Sequence, residues 1–428
     1  MSELYIFDDL SPDATGLNPL SPMADLRPSY AVRIGALSNL ERIGLLREAG
    51  ALTPISREEL RGLEVEPFER RLTVRAADSD RVLAINGRCV LPPPEIDRLE
   101  PGQVLLERGS GSVVALAGLA GSGESVRAAI ARIGHGLDDC PADLSGWETV
   151  ELARPVLLGR PWHFRRFFRE ALETDLRLLA ARTDLLALGA APAGCCMFGT
   201  GALHVHPSVQ ILPGVIFDLG NGDIVIDAGA IVRPGAILIG PLYVGEKTTL
   251  ADRCLIKGPA AFGSLCRIAG EVGGTIVQGR SNKAHDGHLG DSWLGEWVNL
   301  GAGAVNSNLL NTYGQVRTTN RPGMPAEDSG EQFLGAILGD HVKLAIGTRV
   351  MTGAVVNTGT MYAATAPLSG CLAPFRWITD AGSLPYRYDK FEEVARTVLA
   401  RRGVELDGPY RRRLEVLHRQ SAAIGGAS

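Results

Sequence analysis

No apolar run in this 428-residue chain reaches the roughly 20 residues that cross a bilayer, so no membrane partner is expected. Charge of one sign is not in excess either, with 43 Lys and Arg against 48 Asp and Glu. The formal charge of -5 gives no reason to expect nucleic acid or an anionic surface as partner. Met1 to Leu10 lacks a basic stretch ahead of an apolar one, so no secretory signal is read there. The seven Cys are odd in number and lack the paired spacing of metal ligands. Reduced thiols in a cytoplasmic protein are the expectation, with Cys254 and Cys266 as small wall residues. Hydrophobic residues at 45% and charged residues at 21% describe an ordinary soluble chain, and its length calls for two or three domains.

From residue 1 to about 185 no six-residue period is present, whereas from 205 to 362 that period dominates. Ile226, Val232, Leu238, Val244, Leu250, Ile256, Phe262 and Ile268 follow one another at six-residue steps. Leu294 and Leu300, and then Leu338, Leu344, Val350, Val356 and Tyr362, continue them. Helices want spacing near 3.6 and isolated strands near 2. Six fits short strands joined by turns, the pattern of a parallel β-helix. Gly229 and Gly235, with Pro234 and Pro241, suit its corners.

The chain therefore divides into an α/β domain over 1–190, a β-helix over 195–370 and a helical tail over 371–428. In the first, Leu4 to Phe7 reads as a strand ending in Asp8-Asp9, and Val32 to Leu46 has helical spacing. Val82 to Ile85 with Asn86-Gly87 is a second strand and turn. Val104 to Leu106 and Val113 to Leu116 form a hairpin, and Trp162 to Leu188 a closing helix. Residues 306–334 leave the period and read as a loop thrown out from the coil, a common place for function. Phe391 to Leu399 and the segment from Arg411 read as helices covering the coil's open end.

The densest polar stretch within the coil is Ser281-Asn282-Lys283-Ala284-His285-Asp286-Gly287-His288-Leu289-Gly290-Asp291. Leu294-Gly295-Glu296-Trp297-Val298-Asn299-Leu300-Gly301-Ala302-Gly303 and then Asn308 follow it. This stretch resembles the acetyltransferase half of the bifunctional bacterial UDP-N-acetylglucosamine pyrophosphorylase/glucosamine-1-phosphate N-acetyltransferases. In that family a Lys-Ala-x-His-Leu-x-Tyr-Leu-Gly-Asp run precedes Ile-Gly-x-x-Val-Asn-Ile-Gly-Ala-Gly. The resemblance covers roughly 170 residues of coil and is still nearer a divergent bacterial branch of sugar nucleotidyltransferase/acetyltransferase proteins. It implies a left-handed coil, a homotrimer and acetyl-CoA as cosubstrate. It places His285 on the catalytic histidine, Asn299 and Asn308 on active-site asparagines, and Ala302 on the residue whose N–H faces the acetyl group. Lys283 is a candidate for binding the substrate, and His288 stands where the family has tyrosine.

The residues support that chemistry directly. An ammonium has no lone pair with which to attack a thioester, so the amine needs a base, and histidine ordinarily titrates near neutrality. A positioned base typically contributes about 10²–10⁴-fold. The N–H of Ala302 would stabilise the oxyanion, and Gly301 and Gly303 would admit a ligand close to the wall. His288, six before Leu294, falls in the inward slot and is the second choice as base. Glu271-Val272-Gly273-Gly274-Thr275 lacks the lysine pair that grips phosphate in the relatives, so an amino sugar phosphate and a nucleotide-linked amino sugar both remain as acceptors. Zinc held by His285, His288 and His341 is a competing reading, but His341 lies about three coils on at the ~4.8 Å strand spacing.

The N-terminal part lacks the family's Gly-x-Gly-Thr-x-Met. Like the divergent branch it has Phe7-Asp8-Asp9, Arg27-Pro28 with Arg33-Ile34-Gly35, and Asn86-Gly87-Arg88. Nucleotidyl transfer needs cations on a nucleoside triphosphate, for which Arg27, Arg33 and Arg88 serve, and carboxylates on Mg²⁺, for which Asp8 or Asp9 serves. Cap and turn chemistry explains the same residues equally well. The expected function is acetyl-CoA-dependent N-acetyl transfer coupled to sugar-1-phosphate nucleotidyl transfer. The alternatives are a trimeric scaffold that senses sugar nucleotides, and a nucleotidyltransferase alone.

Overall fold

The strands Ile224–Ile226 and Leu242–Val244 show how the coil is built, because their alternate residues go to two different cores. Ile224, Ile226, Leu242 and Val244 point into the coil, while Val225 and Tyr243 point out of it. A computed structural model describes residues 4–47, 52–60, 62–63, 81–119, 122–133 and 144–424. The coil strands stack in parallel into three faces, whose sheets have ten, ten and six strands, each ten including one antiparallel strand at its end. Apolar residues fill the interior from Leu203 to Leu368, with Cys254 and Cys266 among them as expected. Burial pushes those thiols up to about 12 and about 11 respectively.

The first part carries β1 (Leu4–Phe7), α1 (Asn39–Leu46), β2 (Leu52–Ile55), β3 (Arg81–Asn86), β4 (Gln103–Glu107) and β5 (Val113–Leu119). It continues through α2 (Gly123–Ile133), β6 (Glu148–Leu152) and α3 (Phe164–Ala180). Its six strands form one mixed sheet in the order β2-β1-β3-β5-β4-β6. The expected β4–β5 hairpin is present. The helix expected from Val32 begins only at Asn39, because Ser38 caps it reciprocally with Glu41. The helix expected to Leu188 ends at Ala180, because Leu186 and Ala187 already pair with Val205 and His204 in the first coil strands.

One coil face is covered by this first part. Phe164, Phe168, Leu172 and Leu176 of α3 pack with Val225, Tyr243, Ala261, Ile276, Trp293 and Ile337, the outward residues of that face. Beneath α3, Arg42 and Asp175 form a buried bidentate pair at 2.6 and 2.8 Å, and Asp175 also accepts the Leu37 N–H at 2.9 Å. The loop over 307–334 returns to the same side. Its Asn320 amide donates to the carbonyls of Pro19 and Ser21 at 3.2 and 3.0 Å. In the tail, α4 (Tyr388–Ala400) and α5 (Gly408–Ser421) follow the final hairpin and lie against the coil's flank, where Tyr410 bonds His341 at 2.8 Å.

The six-residue step does not hold throughout. From Ile268 the next inward residue is Val272, only four on, and Leu289 stacks on Val272. The step from Leu289 to Leu294 is also short, at five, and it turns His288 outward, correcting its assignment to the inward slot. Lys283 takes an interior position instead, in register with Ile268 and 2% exposed. Its amine donates to the carbonyls of Ala269 and His285, and burial lowers it to about 8.

Two stability predictions come from these buried charges. Asp175→Asn leaves the Arg42 guanidinium uncompensated and should cost about 3–5 kcal/mol in urea unfolding. Lys283→Met should raise stability at pH 7 by about 1 kcal/mol. A lysine that is lowered on folding makes the native chain gain stability as pH climbs from about 8 toward its ordinary value, so the advantage of methionine should shrink over that range.

Candidate active site

Two short strands, Asn282–Lys283 and His288–Gly290, flank an outer corner of the coil at Ala284 to Gly287. Gly287 carries a φ of +123° there, and a Cβ on it would lie 2.3 Å from the Ala304 carbonyl. His285 and Asp286 are exposed at this corner. Asn282 pairs with Asn299, and Gly287 sits on Ala304. Both matches have the same offset, which sets His285 beside Ala302 one coil on, at the ~4.8 Å strand spacing. Asn299, Ala302 and Gly303 are exposed with it. The corner thus joins an imidazole, an asparagine and an open N–H-bearing turn. Gly301 has another role than expected, since its missing side chain makes room for the Ile346 nitrogen at 2.5 Å from where a Cβ would stand.

The remaining coil candidates separate from this group. Lys283 faces the interior and is removed from the ligand-binding set. His288 and Asn308 meet on the six-stranded face over Gly290, where a Cβ would come within 2.6 and 2.7 Å of their Nε2 and Nδ2 atoms. His288 Nδ1 lies 3.6 Å from Glu271 Oε1, and Lys257 Nζ lies 2.7 Å from that same oxygen. The Lys257 hydrogen bond foremost, with His288 beside it, holds the Glu271 carboxyl below its usual range. Asn308 donates to Asp291 at 2.6 Å, and Arg165 of α3 closes on Asp291 at 2.7 Å. Glu271, Asp291 and Arg165 were not foreseen as parts of a site. Glu271 stood in a stretch read only for its lack of lysines, and Arg165 comes from another part of the chain.

Zinc finds no support in this arrangement. His341 is buried at a different corner against Tyr410 and Trp297, and burial pushes its imidazole well below the ordinary value. Among the described residues no group of three His, Cys, Asp or Glu is placed to hold a metal.

In the first part, Asp8, Asp9, Asn86 and Arg88 gather where β1 and β3 end, beside the point at which strand order reverses. This is where an open α/β sheet ordinarily receives a ligand, but here the charges face one another. Arg88 grips Asp9 through two bonds of 2.7 and 2.5 Å, and Asn86 adds a third at 2.8 Å. Arg57 lies 2.8 Å from Asp8, whose carboxyl is raised by burial in spite of it. Tyr30 fills the space over Gly87, where a Cβ would meet the tyrosine Cβ at 2.8 Å. The donor set does not suit Mg²⁺, since each carboxylate already neutralises a guanidinium. Arg88 is likewise engaged and buried, contrary to its expected role on a triphosphate. Arg27 bonds Asp340 at 2.8 Å and reaches Glu296 at 3.5 Å, fastening this part to the coil. Arg27 and Arg33 both line a cavity, and Arg33 lies 5.9 Å from the Tyr243 ring.

No family model matches the chain. The bifunctional protein GlmU of a Nostoc species is 26% identical over 195 residues, covering 40% of this chain and 42% of the relative. That of Synechococcus elongatus is 46% identical over 136 residues, covering 27% of this chain and 30% of the relative. The chain therefore spans less than half the length of either. Among solved structures, the acetyltransferase domain of PglB from Neisseria gonorrhoeae in complex with acetyl coenzyme A aligns over 67% of this chain and all of that domain. Its identity is 15% and its TM-score 0.17, too weak a likeness to carry an argument. In these matching segments, and in its parallel coil, the chain is similar to the GlmU proteins.

Proposed function

We propose that this chain is a transferase that moves the acetyl group of acetyl-CoA to the amine of a sugar phosphate or of a nucleotide-linked amino sugar. The observation that carries the reading is the register that sets exposed His285 beside Ala302 on neighbouring coils. In this role His285 takes the proton from the acceptor ammonium, freeing the lone pair that attacks the thioester carbonyl. The Ala302 N–H faces the oxygen on which charge develops, and the coenzyme thiolate departs as the amide forms. Asn299 and Asn308 orient the acceptor from either side of the corner. A cytoplasmic homotrimer belongs to the same proposal, with coenzyme A held in the cleft between copies at the uncovered corner.

A second reading of the first part is favoured by a specific observation. With Asp9 closed on Arg88, and Asp8 on Arg57, that part serves ligand sensing or scaffolding better than nucleotidyl transfer. Pyrophosphate release from UTP and a sugar 1-phosphate tests it, and no release above background is expected.

His285→Ala should lower acetyl transfer at least about a hundredfold at saturating acetyl-CoA, with the hydrodynamic size unchanged. His288→Gln should cost about tenfold or less, because it keeps a polar group between Glu271 and Asn308. A larger loss from His288→Gln than from His285→Ala would move the base to the imidazole beside Glu271. Unchanged turnover in both would end the acyl-transfer proposal.

A further inference from the structure

A cavity of about 310 Å³ lies where three parts of the chain meet. The segment after β1 supplies Arg27 and Arg33, a coil corner supplies Arg280 and Trp297, and the tail supplies Glu405 and Asp407. Arg280 and Trp297 adopt φ of 51° and 61°, a backbone region that residues with side chains rarely occupy. The guanidinium of Arg280 lies over the Trp297 ring at 5.7 Å, and His341 stacks on that ring at 6.4 Å. The wall is thereby fixed before any ligand arrives.

The cations of this cavity differ in one respect. Arg27 is held by Asp340 and Glu296, and Arg280 is held by Glu296 at 2.6 Å. Arg33 forms no ion pair among the described residues, and its Nε is buried without a hydrogen-bond partner. Its backbone is anchored instead, its N–H donating to Gln278 at 2.9 Å and its carbonyl accepting from Trp293 at 3.2 Å. A half-buried guanidinium without an ion-pair partner, carried on a fixed backbone, is a receptor for one anionic group. The carboxylates around it limit what else the ligand can be. Glu41, Glu296, Glu405 and Asp407 outnumber the three arginines of the lining, so a triphosphate would be repelled, while hydroxyl groups would find acceptors. The volume is at the small end of ligand cavities and fits a monosaccharide.

We infer that this cavity binds a sugar monophosphate, its phosphoryl group on Arg33 and its hydroxyls toward the tail carboxylates. Arg280 and His285 lie on opposite sides of the two-residue strand Asn282–Lys283, so this site is separate from the acyl-transfer corner and does not depend on it. A ligand here touches the first part, the coil and the tail at once, and so holds the three together.

Calorimetric titration of the full chain with glucose 1-phosphate tests this, with inorganic phosphate, glucose and UTP as parallel arms. Glucose 1-phosphate should bind most tightly and raise the melting temperature, phosphate should bind more weakly, and glucose and UTP weakest. Arg33→Ala, whose side chain makes no hydrogen bond in the structure, should weaken binding at least about tenfold, and Arg33→Lys should recover part of it. Were Arg33→Ala unable to fold, exposed Glu405→Gln should narrow the preference for glucose 1-phosphate over phosphate. His285→Ala should bind as the wild type does, which keeps this outcome distinct from any failure of acyl transfer. Absence of binding, UTP binding more tightly than glucose 1-phosphate, binding indifferent to both Arg33 and Glu405, or binding lost in His285→Ala would each overturn the proposal.

Discussion

The burial of one coil face beneath α3 is the constraint on which the rest of the molecule rests. A three-sided coil has two kinds of apolar residue, those that fill it and those that stand outward between them. Along the covered face the outward set runs from Val225 through Tyr243, Ala261 and Trp293 to Val355, and α3 lies on it with phenylalanines and leucines. Because this face is spent on an internal contact, the exposed His285 corner lies between the other two. The same contact brings Arg33 to the coil wall, since its carbonyl accepts from the outward Trp293.

Charge inside the molecule follows one rule with instructive departures. Arg42 with Asp175, Arg88 with Asp9 and Arg27 with Asp340 are each matched and sealed. Such pairs add little net stability beyond what apolar residues of equal volume would give, but losing one partner is costly, which makes them markers of fixed geometry. Lys283 and Arg33 depart from the rule in different ways. Lys283 lies inside an apolar stack and donates only to carbonyls, so its ammonium form is disfavoured. Arg33 opens on a cavity. The first is a consequence of packing, the second is chemistry awaiting a partner.

Much of the architecture was legible in the residues because it rests on period. Eight residues at consecutive six-residue steps from Ile226 to Ile268 all point inward. The helices of the tail and the β4–β5 hairpin were visible for the same reason. What escaped was wherever one local choice overrode the period. Short steps from Ile268 to Val272, Val272 to Val277 and Leu289 to Leu294 put Lys283 in the interior and His288 at the surface, and only the paired register reveals them. At the ends of β1 and β3, residue type was read correctly as charged but not as mutually satisfied, because the Asp9–Arg88 contact spans 79 positions in sequence. The Glu271, Asp291 and Arg165 contacts on the six-stranded face were hidden likewise, being assembled across coils and from α3.

The seam under α3 also bears on modularity. Read along the chain, the protein suggests three separable pieces, and recombination or a cloning strategy would cut between them. Cut there, the coil would present Tyr243, Ile276, Trp293 and Ile337 to water as one continuous strip, inviting self-association in place of folding. The loop that ties Asn320 to the carbonyls of Pro19 and Ser21, and α5 with Arg413 on the Asp25 carbonyl, would lose their anchors at the same stroke. The first part, the coil and the tail thus depend on one another for their cover and their anchors.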